Sequence, residues 1–167
     1  MLTQPNVEDR GEQPYAAINV RVSMDEVGAV VPPLIAEVFD WLARRGIDPA
    51  GPPFFRFLVI DMATKMEIDA GVPVAVPPTG DDRVRSGSLP AGRYATAIHT
   101  GPPAGLVDAT AELLGWAQAN GVTWQVSGSP AGEFWAARVE FYLTDPRDEP
   151  DMTKWQTELA FLTAGDE

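Results

Sequence analysis

The spacing of apolar residues changes several times along the chain, and each change marks an element. Residues 15–22 (YAAINVRV) turn β-branched toward their end and read as a strand. Ser23-Met-Asp-Glu is expected to start a short turn or helix. Pro32 and Pro33 then set the start of a helix, because proline suits the first turn and pushes the residue before it out of the α region. Leu34, Val38, Trp41 and Leu42 follow at helical spacing, with Ile35 and Phe39 beside them. Arg44 and Arg45 suit the negative end of the dipole, and Gly46 suits a left-handed cap. This predicts a helix over residues 33–45. After Gly51-Pro-Pro, residues 54–62 (FFRFLVIDM) and 65–76 read as strands, and residues 83–89 as a shorter one. The same plan then recurs. A strand over 93–100 is followed by Gly101-Pro-Pro and a helix over 104–120 that carries Leu106, Leu113, Leu114 and Ala117. Gly121 caps it, and strands over 135–144 and 157–163 follow.

The two halves align. Trp41 and Gly46 map onto Trp116 and Gly121, each 75 residues on. Glu67-Ile68 matches Glu158-Leu159. A repeat of this length is not a solenoid unit. It predicts an α+β fold of two pseudo-symmetric β-α-β-β modules forming one antiparallel sheet with two main helices. The expected layout is a flexible N-terminal tail over residues 1–14 and a single domain over 15–163. A cleft where the modules meet is a natural ligand site.

Composition narrows the function. The chain has 167 residues, near the size of one domain, with 45% apolar and 22% charged residues, so it is not disordered as a whole. The net charge of −12 repels phosphate backbones and attracts cations. With no cysteine and one histidine, His99, the chain lacks the means for disulfides, thiolate chemistry or a Cys- or His-rich metal site. No phosphate loop, dinucleotide fingerprint or nucleophile elbow is present, so neither metal nor cofactor is expected. His99 reads as a hydrogen-bonded or exposed strand residue, and the acidic run over 145–151 reads as a solvated turn. The polar, acidic start is not a signal peptide. The longest apolar-rich stretch, 27–39, is too short to span a bilayer, so a soluble, cytoplasmic protein is expected.

Aromatic residues and one carboxylate supply the candidate chemistry. Of five tryptophans, Trp41, Trp116, Trp135 and Trp155 lie in or beside expected elements. They read either as core packing or as a wall of π-faces for a planar or cationic ligand. Within the strand over 135–144, Trp135, Ala137, Val139, Phe141 and Leu143 form an apolar face. The other face is Phe134, Ala136, Arg138, Glu140 and Tyr142, unlike an ordinary solvent face. Glu140 is either a partly desolvated carboxylate or a surface group paired with Arg138.

Several segments carry a resemblance. They are Gly51-Pro-Pro-Phe-Phe-Arg-Phe57, Met66-Glu-Ile-Asp-Ala-Gly-Val-Pro73, Leu89-Pro-Ala-Gly-Arg-Tyr-Ala95, His99-Thr-Gly-Pro102, Glu140-Phe-Tyr-Leu-Thr-Asp145 and Trp155-Gln-Thr-Glu-Leu159. In this order the chain resembles the GyrI-like small-molecule-binding family, which includes the DNA gyrase inhibitory protein and the effector-binding halves of multidrug-responsive regulators. The resemblance implies that Glu140 lies at the bottom of an aromatic pocket facing lipophilic cationic drugs, with Tyr142, Trp155, Trp116 and Phe57 around it. With no helix-turn-helix and the wrong charge for DNA, the chain is expected to act as a stand-alone multidrug binder, not a complete regulator. The same resemblance leaves two alternatives open. One is a hydrolase of cyclopropane-containing genotoxic natural products, with Glu140 as the catalytic group. The other is an inhibitor or regulator that acts by binding a protein partner.

Overall fold

The computed structural model describes residues 1–23, 25–60, 65–129 and 132–164. In chain order the strands are β1 (Asn6–Arg10), β2 (Gln13–Val22), β3 (Phe54–Ile60), β4 (Met66–Pro73), β5 (Arg85–Leu89), β6 (Gly92–Thr100), β7 (Val126–Ser129), β8 (Gly132–Trp135), β9 (Arg138–Tyr142) and β10 (Gln156–Leu162). The helices are α1 (Val27–Val30), α2 (Pro32–Arg44) and α3 (Leu106–Ala119). The sheet is antiparallel, in the order β1-β6-β10-β9-β3-β4-β2-β5, with β8 joined to β3 and β7 to β8.

This order displays the repeat. From the β3–β9 seam outward, each half runs second strand, third strand, first strand: β3-β4-β2 on one side and β9-β10-β6 on the other. The helices also end alike. Beyond α2, the Ile47 N–H bonds the Leu42 carbonyl at 3.0 Å and the Gly46 N–H bonds Ala43 at 3.2 Å. Beyond α3, Val122 bonds Ala117 at 2.9 Å and Gly121 bonds Gln118 at 3.5 Å. Both are Schellman closures, and they place glycine at φ 67° and 71°, where a Cβ is disfavoured. The matched Gly46 and Gly121 of the sequence are therefore two copies of one helix stop.

α2 buries Leu34, Val38, Trp41 and Leu42. α3 buries Leu106, Ala109, Leu113 and Ala117, with Leu114 only half-buried. Both helices lie on one face of the sheet, in a core that also takes Ile18, Ile68, Val72, Ala97, Leu159 and Phe161. A second cluster, with Tyr15, Phe54, Tyr94, Val139, Phe141 and Leu162, occupies the other face. The sheet curls around that second cluster, because residues from both of its ends, Arg10 of β1 and Leu89 of β5, line one cavity with Phe141 of β9.

Two expectations need correction. The N-terminal residues do not form a loose tail: β1 pairs with β6 from Asn6↔Thr96 to Arg10↔Gly92. A mainly polar strand gives little periodic signal, and backbone pairing holds it at a sheet edge. The strand expected over 135–144 is broken. Arg56 faces Val139, yet Val59, three residues on, faces Phe134, five residues back. The extra residues are absorbed at Ala136 and Ala137, where Ala136 N–H turns to the Gln125 carbonyl at 2.9 Å. As a result Trp135 leaves the apolar face assigned to it and joins the helix-side core, the side of Glu140. Asp61 and Met62, the expected end of the strand at β3, and Met24 lie outside the described residues.

Candidate functional site

α2 seats on β4 and β2, and α3 on β6, so the helices cover the outer strands of their own halves. Neither packs extensively on β3 or β9, which leaves the helix-side face of the β3–β9 seam as a floor between them. Side-chain alternation puts Phe55 and Phe57 of β3, and Arg138, Glu140 and Tyr142 of β9, on this floor. Glu140 stands opposite Phe55 on one side and Leu159 on the other. The Phe55 and Tyr142 rings meet edge-on, 4.8 Å apart. Phe57, Tyr142, Trp116 of α3 and Phe39 of α2 are half-buried against the helix-side core.

Glu140 is set deep in the protein yet keeps a solvent-accessible fraction. Its Oε1 accepts a hydrogen bond from the Tyr142 hydroxyl at 2.7 Å. Its Oε2 has no protein partner among the described residues, and it is not sealed off. Burial pushes the Glu140 carboxyl above its ordinary range, against the weaker pull of the Tyr142 hydrogen bond and the Arg138 charge. Burial and the adjoining carboxylate push the Tyr142 phenol well up. Arg138 does not form the surface pair with Glu140, one of the two readings of that carboxylate. Its guanidinium lies 4.6 Å from the Trp135 ring centre and 4.9 Å from that of Phe161. Burial lowers its pKa, opposed by the charges of Glu140 and Glu133.

Of the residues singled out from sequence, Glu140 and Tyr142 are joined directly. Phe57 and Trp116 share the core cluster of Tyr142. Trp155 precedes β10 in extended backbone, in phase with Thr157, which faces Tyr142. Its indole N–H donates to the Glu149 carbonyl at 2.6 Å, and no described contact joins it to Glu140. Sequence reasoning missed Phe55 as a site residue, and it missed that Arg138 makes no ion pair among the described residues. Cross-strand register and ring stacking are not visible in spacing along one chain. His99 is buried, with Nε2 3.2 Å from the Pro102 carbonyl oxygen, as a hydrogen-bonded strand residue would be.

The other face holds a cavity of about 360 Å³, lined in part by Arg10, Gln13, Leu89, Tyr94, Phe141 and Glu158. Arg10 is fully engaged there, 2.8 Å from both Glu8 and Glu158. Among the described residues no group of acidic or histidine side chains is placed to hold a metal. No helix among them is long and apolar enough to cross a membrane.

The comparisons with known proteins agree with this architecture. The EcmrR C-terminal domain superposes with a TM-score of 0.75 at 18% identity, over 98% of each chain. EcmrR in its complex with DNA gives 0.74 at 19% identity, over 96% of this chain, which spans 57% of that one. SAV2435 bound to tetraphenylphosphonium gives 0.63 at 10% identity, over 98% of this chain and 95% of its own. A hydrolase from Listeria innocua gives 0.62 at 14% identity, over 96% and 92%. At these identities the likeness is one of fold. No curated protein matches the sequence. Residues 3–162 match the GyrI-like small molecule binding domain, and the chain belongs to that family.

Proposed function

We propose that this chain binds lipophilic, often cationic, aromatic small molecules in the groove between α2 and α3. The observation that carries the reading is Glu140: deep, reachable by solvent, one oxygen held by Tyr142 and the other without a protein partner. A poorly screened carboxylate is costly to keep without a counter-charge, and a bound cation supplies one. Tyr142 fixes the carboxylate, and Phe57, Trp116 and Trp155 offer ring faces to the ligand. The net charge of −12 draws cations toward the protein. The ligand in SAV2435, tetraphenylphosphonium, is of this class. The absence of cysteine suits action in a reducing cytoplasm, and the net charge of −12 disfavours DNA as a partner.

Titration of tetraphenylphosphonium and neutral triphenylphosphine oxide by tryptophan quenching tests the reading. Glu140→Gln keeps size and removes charge. It is expected to weaken the cation by about tenfold or more, about 1.4 kcal/mol, with little change for the neutral compound. Equal loss for both, or none for either, would remove Glu140 from the site.

A second reading draws on the Tyr142–Glu140 hydrogen bond at 2.7 Å and the raised Glu140 carboxyl, a pair fit for proton transfer, and on the hydrolase among the structural neighbours. Turnover of a cyclopropane-bearing genotoxin, lost in Glu140→Gln with substrate affinity nearly intact, is its signature.

A further inference from the structure

Arg138 is the second charge on the floor of the groove, and the binding of plain cations leaves it without a role. It is two residues from Glu140 on one strand, so the backbones of the two lie about 7 Å apart on the same face. They stand together without pairing, since no guanidinium nitrogen comes within ion-pair distance of the Glu140 carboxylate. The rings of Trp135 and Phe161 hold the guanidinium instead, at 4.6 and 4.9 Å. Glu133, the other carboxylate whose charge reaches it, accepts a hydrogen bond from the Trp135 indole at 3.3 Å.

A guanidinium has five N–H donors. Other arginines donate to oxygen acceptors. Arg10 holds Glu8 and Glu158, Arg85 holds Asp69, and Arg56 reaches Tyr15, Ser88 and Ala136. Among the described residues, Arg138 donates to no carboxylate, carbonyl or hydroxyl. Its nitrogens are not sealed away, because among the described residues the one buried side-chain nitrogen or oxygen without a partner is Arg56 Nε. The groove floor thus carries a partly desolvated donor fork and, one strand repeat away, a carboxylate with a free oxygen.

We propose that the groove takes amphoteric small molecules, whose cationic group meets Glu140 while a carboxylate on the same molecule meets Arg138. This rests on the proposed binding function and specifies its ligand class. A plain cation at Glu140 is repelled by the neighbouring guanidinium, whereas a zwitterion of matching span satisfies both groups and leaves no buried charge alone.

Rhodamine B, a zwitterion at neutral pH, and its ethyl ester, a cation of nearly the same shape, form the probe pair for fluorescence anisotropy. The wild-type protein is expected to bind the zwitterion about fivefold or more tighter than the ester. In Arg138→Met, which keeps the stem that packs on Trp135, the zwitterion-to-ester affinity ratio is expected to fall below one. Arg138→Lys keeps charge and stem but loses the fork, and its ratio is expected between the two. It carries the test if the methionine variant fails to fold by thermal melting. An equal or greater wild-type affinity for the ester, or a preference that survives these substitutions, overturns the proposal. If the ester binds through Glu140 but the zwitterion has no advantage, the amphoteric class alone fails. If neither dye binds, the binding function fails with it.

Discussion

The two faces of the sheet bury the same chemistry in opposite states. Each holds a tyrosine hydroxyl bonded to a carboxylate, Tyr15 to Asp69 at 2.6 Å on the curled side and Tyr142 to Glu140 at 2.7 Å on the helix side. Around Asp69 the circuit is closed except at Arg56 Nε, a buried donor without a partner among the described residues. Asn19 and Arg85 bond its other oxygen at 2.9 Å each, and Arg56 bonds the Tyr15 hydroxyl at 2.9 Å, the Ser88 carbonyl at 3.0 Å and the Ala136 carbonyl at 2.7 Å. That network ties β2, β3, β4 and β5 to the break between β8 and β9, and it leaves Asp69 1% exposed. Around Glu140 the circuit is open, with one bond to the carboxylate and none to Arg138. Polar groups that satisfy one another hold a fold and offer a ligand nothing. Groups left half-satisfied within reach of solvent are what a ligand completes.

Breaking the closed circuit gives the largest expected effect. Asp69→Ala takes the acceptor from the Tyr15 hydroxyl and removes the carboxylate that Asn19 and Arg85 share. Removing one member of a buried ionic network costs about 3–5 kcal/mol, and the half-exposed Arg85 places this case near the lower end. Urea denaturation of the variant should show a loss of about 3 kcal/mol. A loss below about 1 kcal/mol would mean that the network merely decorates a fold held by apolar packing.

Much of this contrast was legible in the sequence, but unevenly. The helices could be read from Pro32-Pro33, from apolar spacing and from Gly46 and Gly121, because these signals are local. The repeat gave one antiparallel sheet of two like halves, while the strand order within it appears only in the structure. Glu140 stood out because a charge between aromatic positions on a strand is rare. The closed network did not stand out, since Tyr15, Arg56, Asp69 and Arg85 are far apart in sequence and meet only through register. β1 was hidden because its pattern is polar, and the break at Ala136-Ala137 because alanines there do not signal a change of face. That break also conceals Arg138's ring partners, one of which, Phe161, lies on another strand.

The aromatic walls offer a smaller test on the open side. Trp155→Ala is expected to weaken both tetraphenylphosphonium and triphenylphosphine oxide, because it removes ring area that either ligand can cover. The expected loss is about 0.5–1.5 kcal/mol for the neutral compound, from ring–ring contact, and up to about 2 kcal/mol for the cation, from cation–π contact. Isothermal titration separates the two cases. If both affinities are unchanged, Trp155 serves only its bond to Glu149, and the groove ends at Tyr142.

The smallest effect concerns stability and carries the most diagnostic sign. The Glu140 carboxyl is raised in the folded protein, chiefly by burial. Between the ordinary glutamate pKa and this raised value, the folded state binds more protons at Glu140 than the unfolded state does. The residue's contribution to stability therefore falls as pH rises through that window, and it stays low above it. Below the ordinary value both states are protonated and the penalty vanishes. Glu140→Gln mimics the protonated form at every pH. Ligand-free Glu140→Gln is thus expected to be slightly more stable than wild type in urea at pH 7.5, with the difference shrinking toward pH 4. A carboxylate with both oxygens held by donors gives the opposite result, a loss on substitution by the amide at pH 7.5. If Glu140→Gln shows that loss, its free oxygen is satisfied in solution, and the two faces of the sheet differ less than their hydrogen bonds imply.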